Sequence, residues 1–169
     1  MPSPVQVSEV GPEAAAWWNA FVASRPDASA YHCWHWRDIV TREFGCPVHY
    51  LAATDPAGAW CGVLPLVRLR SRLFGDFLVS LPFFNYGGVL AADGEADAAL
   101  VAAAGALGTR LGVSHIEFRE QQPRAGWPVR TDKVAMVLDL APTVDGQWAA
   151  LGSKLRAQIR RPEKEGAIT

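Results

Sequence analysis

Residues 48–54 and 60–69 each alternate apolar with small or polar positions, and Asp55-Pro56-Ala57-Gly58 lies between them. Asp first, Pro second and Gly fourth is the order a type I turn prefers. The segment is therefore an antiparallel hairpin. A two-stranded ribbon is not stable alone, so the flanking chain has to extend and cover it. Pro65 in the second arm cannot donate to a ladder and predicts an edge position or a bulge. Arg68, Arg70 and Arg72 then alternate with Leu69, Ser71 and Leu73. One face of the strand end becomes basic, either as a solvated rim or as an edge that faces an anion.

Ahead of the hairpin, residues 5–10 are β-prone and Gly11-Pro12 breaks them. Residues 13–24 predict a helix, with Glu13 at the anion-favouring end and Trp17/Phe21 and Trp18/Val22 as i, i+4 pairs. Residues 31–44 predict a second helix with Cys33, Trp36, Ile39, Val40 and Phe44 on one stripe, and Gly45 and Pro47 stop it. Trp34 and Arg37 lie off that stripe. They are packed under a neighbouring loop or belong to a binding face.

Behind the hairpin comes Leu78-Val-Ser-Leu-Pro-Phe-Phe-Asn-Tyr-Gly-Gly-Val-Leu-Ala91. Pro82 ends its β-prone start, because it removes a donor and fixes φ. Asn85-Tyr86-Gly87-Gly88 follows two aromatics. The glycine pair admits positive φ and close approach of another group, and Tyr86 offers a ring and a hydroxyl. The stretch is a tight turn with an aromatic plug, or a pocket floor where main chain and Tyr86 meet a ligand. Residues 95–111 predict a helix: Glu95 and Asp97 open it, Leu100, Ala103, Ala104, Leu107 and Leu111 form its stripe, and Gly112 follows. Residues 113–119 and 134–140 read as strands, 121–128 as a loop, and 145–161 as a last helix broken by Pro162. The final residues read as the start of another strand. The order β-α-α-β-β-β-α-β-β-α predicts an α/β (α+β) fold with a mixed, mostly antiparallel sheet flanked by helices.

The net charge of −1 supplies no overall field to recruit nucleic acid or membrane. The charge is uneven, however: from Lys154 onward the chain is +3, and the rest is −4. Within that tail Arg156 and Arg160 are i, i+4 neighbours. They clamp an anion, or they simply decorate a helix C-terminus. Three cysteines without paired spacing argue against a disulfide framework and for a reducing, cytoplasmic setting. No apolar run approaches the ~18 residues needed to span a bilayer. Nucleotide-binding glycine loops, Cys-x-x-Cys and Gly-x-Ser-x-Gly are all missing. His32-Cys33-Trp34-His35 offers three potential metal ligands without a second cluster, so capping or packing is expected and no metal. His115, Glu117 and Arg119 share a strand face, either as an acid/base set or as ion-paired decoration.

Several motifs occur in a distinctive order: Trp36-x-x-Ile39-Val40 with Phe44-Gly45, Gly62-Val-Leu-Pro-Leu66, Ser71-x-Leu-Phe-Gly75, Ser80-Leu-Pro-Phe83, Asn85-Tyr-Gly-Gly88, His115-Ile-Glu-Phe-Arg119 and Lys154-Leu-Arg-x-Gln-Ile-Arg160. Together they resemble the N-terminal half of FemAB-like proteins, in particular the branch linked to the exosortase/PEP-CTERM system. The resemblance implies two GNAT-type α/β domains in tandem. Residues 1–145 would be the first, and 146–169 a helix and the start of the connection to the second. It implies transfer of an amino acid from aminoacyl-tRNA, or of another acyl group, to an envelope or exopolysaccharide precursor as a new amide. No further cofactor is expected. Asn85, Tyr86, Gly87 and Gly88 correspond to the loop near the acceptor channel; Trp34 and Arg37, off the stripe of the second predicted helix, remain further substrate-binding candidates. Arg156 and Arg160 correspond to the connection into the second domain and are the candidate anion or tRNA contacts. No residue is assigned as catalytic, and the fragment alone is expected to be inactive. The missing glycine-rich pyrophosphate loop argues against ordinary acyl-CoA binding. The alternative is a non-catalytic binding or scaffold domain of the same system.

Overall fold

A computed structural model describes residues 5–73, 75–131 and 136–167. The chain divides into two compact units, Met1–Val129 and Arg130–Thr169. In the first, the elements run β1 (Gln6–Val10), α1 (Ala15–Ser24), α2 (His35–Phe44), β2 (Val48–Thr54), β3 (Trp60–Ser71), β4 (Gly75–Val79), β5 (Leu90–Ala91), α3 (Gly94–Leu111) and β6 (Ile116–Glu117). One sheet has the order β1-β2-β3-β4-β6, with β5 also paired to β3. Its pairings are antiparallel except β4–β6, which are parallel and connected through β5 and α3.

The hairpin forms as its turn residues require. Gly58 N donates to the Asp55 carbonyl at 2.9 Å, and Ala57 N donates to Asp55 Oδ1 at 2.8 Å. Pro65, however, stands opposite Tyr50 in the central strand, not at an edge. Residues 64–66 have no ladder partner on the far side of β3, because β4 pairs at 67–71 and β5 at 62–63. A residue without an N–H is tolerated at such a gap.

The sheet is covered on both faces. Leu51, Ala53, Leu64, Leu66 and Leu78 pack against Leu100, Ala104 and Leu107 of α3. Gly62 permits this approach, since a Cβ there would lie 2.7 Å from Leu100 Cδ1. On the other face Tyr50, Val63 and Leu90 meet Trp18, Phe21, Val22 and Trp34. Helix α3 follows its sequence signals: Asp93 Oδ1 accepts from Ala96 N at 2.8 Å, and Gly112 closes the end at φ 68°.

The 31–44 helix is not continuous. A 3₁₀ turn, Ala30–His32, precedes α2, and Cys33 is extended between them. Ser29 N donates to His32 Nδ1 and Trp34 N to Asn19 Oδ1, so side chains take up the amides and turn the chain. The expected stripe holds at Val40, which is 1% exposed, but not at its ends: off-stripe Trp34 is 4% exposed and Phe44 is 54% exposed. The 113–119 strand shortens to Ile116–Glu117. Phe74 of the Ser71–Gly75 motif lies outside the described residues.

In the second unit, the 134–140 strand begins at Val134, which also lies outside the described residues. Residues 136–140 are exposed and make no strand. The single last helix becomes α4 (Val144–Ala150) and α5 (Ser153–Lys164), parted at Leu151-Gly152. Pro162 sits inside α5 and does not end it. The solvated last turn bears the loss of one amide. Glu165-Gly166 is a turn, not a strand start, and Ile168 and Thr169 lie outside the described residues. Among the described residues no helix is long and apolar enough to cross a membrane.

Candidate functional site

Where the strand opposite β3 breaks between β4 and β5, residues 80–89 leave the sheet. Two non-glycine residues there, Leu81 and Phe83, take left-handed φ of 53° and 73°. Such conformations cost about 1–3 kcal/mol each and persist only where surrounding contacts impose them. Those contacts come from the end of β6 and the chain that follows it. Ser80 N donates to the Glu117 carbonyl at 2.9 Å, and Arg119 N donates to Ser80 Oγ at 2.7 Å. Gly87 N donates to the Arg119 carbonyl at 3.1 Å. Arg119 also donates from Nη1 to the Phe84 carbonyl at 2.7 Å and from Nε to Glu117 Oε1 at 2.8 Å. A Cβ on Gly88 would collide with Glu120 Cγ. Arg124 holds Glu120 at 2.6 Å while gripping both Asp97 oxygens, at 2.6 and 2.7 Å.

Among the expected loop residues, Gly87 and Gly88 are buried, Tyr86 is half-buried and Asn85 is exposed. The preceding aromatics join the loop to α2. Phe84 lies 4.9 Å from Tyr31 and 4.3 Å from Trp36 between ring centres, and Phe83 stacks on Phe44 at 4.6 Å. Trp34 packs edge-on to Trp18 at 5.5 Å and to Tyr50 at 5.3 Å. The Arg37 guanidinium sits 5.2 Å from the Trp34 ring centre. Packing thus describes Trp34, while Arg37 lies above it, partly open to solvent. His32 is the hinge between the two segments: its Nε2 faces the Gly88 main chain without a well-aligned hydrogen bond. Burial pushes this imidazole below its ordinary pKa. His32 lies beside the candidate loop, whereas Tyr50 is a core residue packed on Trp18 and Trp34. The sequence weighs His32 as a metal ligand and favours a cap or packing role, with no link to the loop. The Ser29-x-x-His32 spacing of the capping pair is the signal that was available.

The other polar clusters resolve differently. Arg119 and Glu117 pair with each other, and His115 stacks on Phe77 at 4.7 Å and contacts Ser114 Oγ, so the three share no target. Arg68 donates twice to Asp76, at 2.8 and 2.7 Å, and to the Leu111 carbonyl, so the basic strand end is partly neutralised. Among the described residues no group of three or more His, Cys, Asp or Glu is placed to hold a metal ion. The N-terminus of α3 is occupied by its own carboxylates, with Asp93 capping and Glu95 and Asp97 in the first turn. An incoming pyrophosphate would meet negative charge there instead of free amides, so the phosphates of an acyl-CoA do not fit this helix end. In the second unit, Arg156 Nη1 donates to the Trp148 carbonyl at 3.4 Å, and Arg160 lies 4.9 Å from the Trp148 ring centre. Both arginines are engaged with α4.

No family model matches the sequence, and no curated protein matches it significantly. Among solved structures, the chain is similar to a GNAT family acetyltransferase from Staphylococcus aureus, with a TM-score of 0.51 and 11% identity. The match covers 80% of this chain and 100% of that one. At 11% identity the likeness is one of fold. The chain therefore has a GNAT-like α/β fold, a mostly antiparallel sheet flanked by helices, broken at the strand that carries the candidate loop.

Proposed function

We propose that this chain is the N-terminal GNAT-like half of a FemAB-like transferase. It forms an amide on an envelope or exopolysaccharide-related acceptor in the exosortase/PEP-CTERM context, with aminoacyl-tRNA or another acyl ester as donor. The observation that carries this reading is the break between β4 and β5, where Asn85-Tyr86-Gly87-Gly88 is held out of a GNAT-like sheet by Ser80, Arg119 and Glu120. The chemistry asks for little more than an amine oriented against an activated ester and donors for the oxyanion. The carboxylates at the start of α3 favour a donor other than acyl-CoA at that helix end. Tyr86 contacts the acceptor, and Arg156 and Arg160 contact the donor's phosphates or the adjoining domain.

The test uses the product of the complete reading frame, bulk tRNA charged with radiolabelled amino acids, and an envelope-precursor extract. Label is expected to reach the precursor in amide linkage. Tyr86→Ala should lower transfer about tenfold, equivalent to about 1.4 kcal/mol, with the fold unchanged. Transfer from acetyl-CoA alone, or an undiminished rate in the Tyr86 variant, would count against the reading.

A second reading, a non-catalytic scaffold domain, is favoured by the Phe44–Phe83 stack, whose members are 54% and 60% exposed. Aromatics presented in this way are enriched in protein interfaces. Partner binding without turnover would favour it.

A further inference from the structure

Past Val67 the central strand outruns its neighbour. Val67 pairs with Val48, the first residue of β2, whereas Arg68 to Ser71 pair only with β4, at Leu78 to Gly75. The two strands end as a narrow ribbon. Such a ribbon is marginal by itself, and here its base is braced. Arg68 grips both Asp76 oxygens at 2.8 and 2.7 Å and donates to the Leu111 carbonyl at the end of α3. Ser114 donates from N and from Oγ to the Asp76 carbonyl, at 2.8 and 2.9 Å, and His115 stacks on Phe77.

This bracing uses Arg68 and leaves the turn itself uncompensated. Arg68 already balances Asp76, so the 3.4 Å contact between Asp76 and Arg70 does not neutralise the Arg70 guanidinium, which is 68% exposed. Arg72 is exposed and pairs with no carboxylate among the described residues. Arg70, Ser71 and Arg72, with Gly75 and Asp76, line an open depression of about 340 Å³. Leu73 follows at the turn and is 82% exposed, more than any other large apolar side chain described in the first unit.

We infer that the β3–β4 turn is a docking point for an anionic phospholipid bilayer. Arg70 and Arg72 meet headgroup phosphates at the depression, and Leu73 enters the boundary between headgroups and acyl chains. Charge alone would also suit the phosphates of an RNA. An exposed leucine gains nothing from a phosphate backbone, whereas its transfer into lipid is favourable, so the turn fits a bilayer better. The net charge of −1 supplies no overall attraction, so the contact is local and reversible. It goes beyond the transfer reading and does not depend on it.

The experiment sediments the full chain with vesicles of phosphatidylcholine, alone or mixed with phosphatidylglycerol, at low and high salt. Binding should require the anionic lipid and fall as salt rises. Arg70→Gln and Arg72→Gln should each weaken it about fivefold, and Leu73→Ser about tenfold. All three side chains are exposed, so circular dichroism should show the fold unchanged. Arg161→Gln, which removes an exposed cation from α5, should leave binding as it was. Equal binding to both vesicle types, no binding to either, or undiminished binding in the turn variants would overturn the proposal. A loss in Arg161→Gln equal to that in Arg72→Gln would place the contact on the basic α5 and overturn the turn. Binding of bulk tRNA that Leu73→Ser leaves intact, with no binding of vesicles, would make the turn an RNA contact and overturn the bilayer.

Discussion

Gly88 and His32 face each other across the site, and each constrains it differently. A methyl group on Gly88 meets Glu120, which Arg124 holds in place, so the neighbour cannot give way cheaply. Gly88→Ala should cost about 1–3 kcal/mol, the usual cost of overpacking. Urea denaturation measures it, and a cost below a few tenths would show that Glu120 moves freely. His32 has a folded-state pKa below its ordinary 6.5, so the unfolded chain binds the proton more tightly. Stability is therefore complete above pH 6.5 and falls as the pH drops below it. The urea midpoint between pH 8 and 5 should fall more steeply for the native chain than for His32→Gln. Equal slopes would place the pH dependence elsewhere.

At the scale of elements, Ser80 completes the break in the sheet. Its hydroxyl stands in for a strand carbonyl by accepting from Arg119 N. Ser80→Ala leaves that amide unpaired, which should cost about 1–3 kcal/mol. Amide exchange at Gly87 and Arg119 should accelerate with it. Unchanged exchange would mean that the Arg119 side chain alone secures the loop. Helix α3 was readable in advance because its signals are local: a capping Asp93, acidic first-turn residues and a terminal Gly112. The start of α2 was not, because Asn19 and Trp18, distant in sequence, take the Trp34 amide and offer a donor to the His32 carbonyl. Pro65 misled for a similar reason. Its environment is set by where β4 stops and β5 begins, and no residue near Pro65 records that.

At the scale of the whole molecule, the two units differ in what holds them. Residues up to Val129 contain a core on both sheet faces, whereas no described residue beyond Arg130 is buried. A chain ending at Val129 should therefore keep a cooperative melt with its midpoint within about 4 °C, a change of about 1 kcal/mol for a domain of this size. Loss of cooperativity would show that the core depends on the later residues.

Local patterns in the sequence were sufficient for the hairpin, for both ends of α3, for the mixed α/β class and for the interruption at Pro82 and Gly87-Gly88. Each depends on backbone rules that act over a few residues: fixed φ, missing donors, caps and alternation. Tertiary structure alone decided that Trp34 is core and Phe44 surface, and that Arg119 and Ser80 anchor the loop. It also decided that Arg37 and Tyr50 both pack on the Trp34 ring. Those outcomes depend on which distant groups satisfy buried donors and fill the space between α2 and the sheet. A linear pattern carries no record of such pairings.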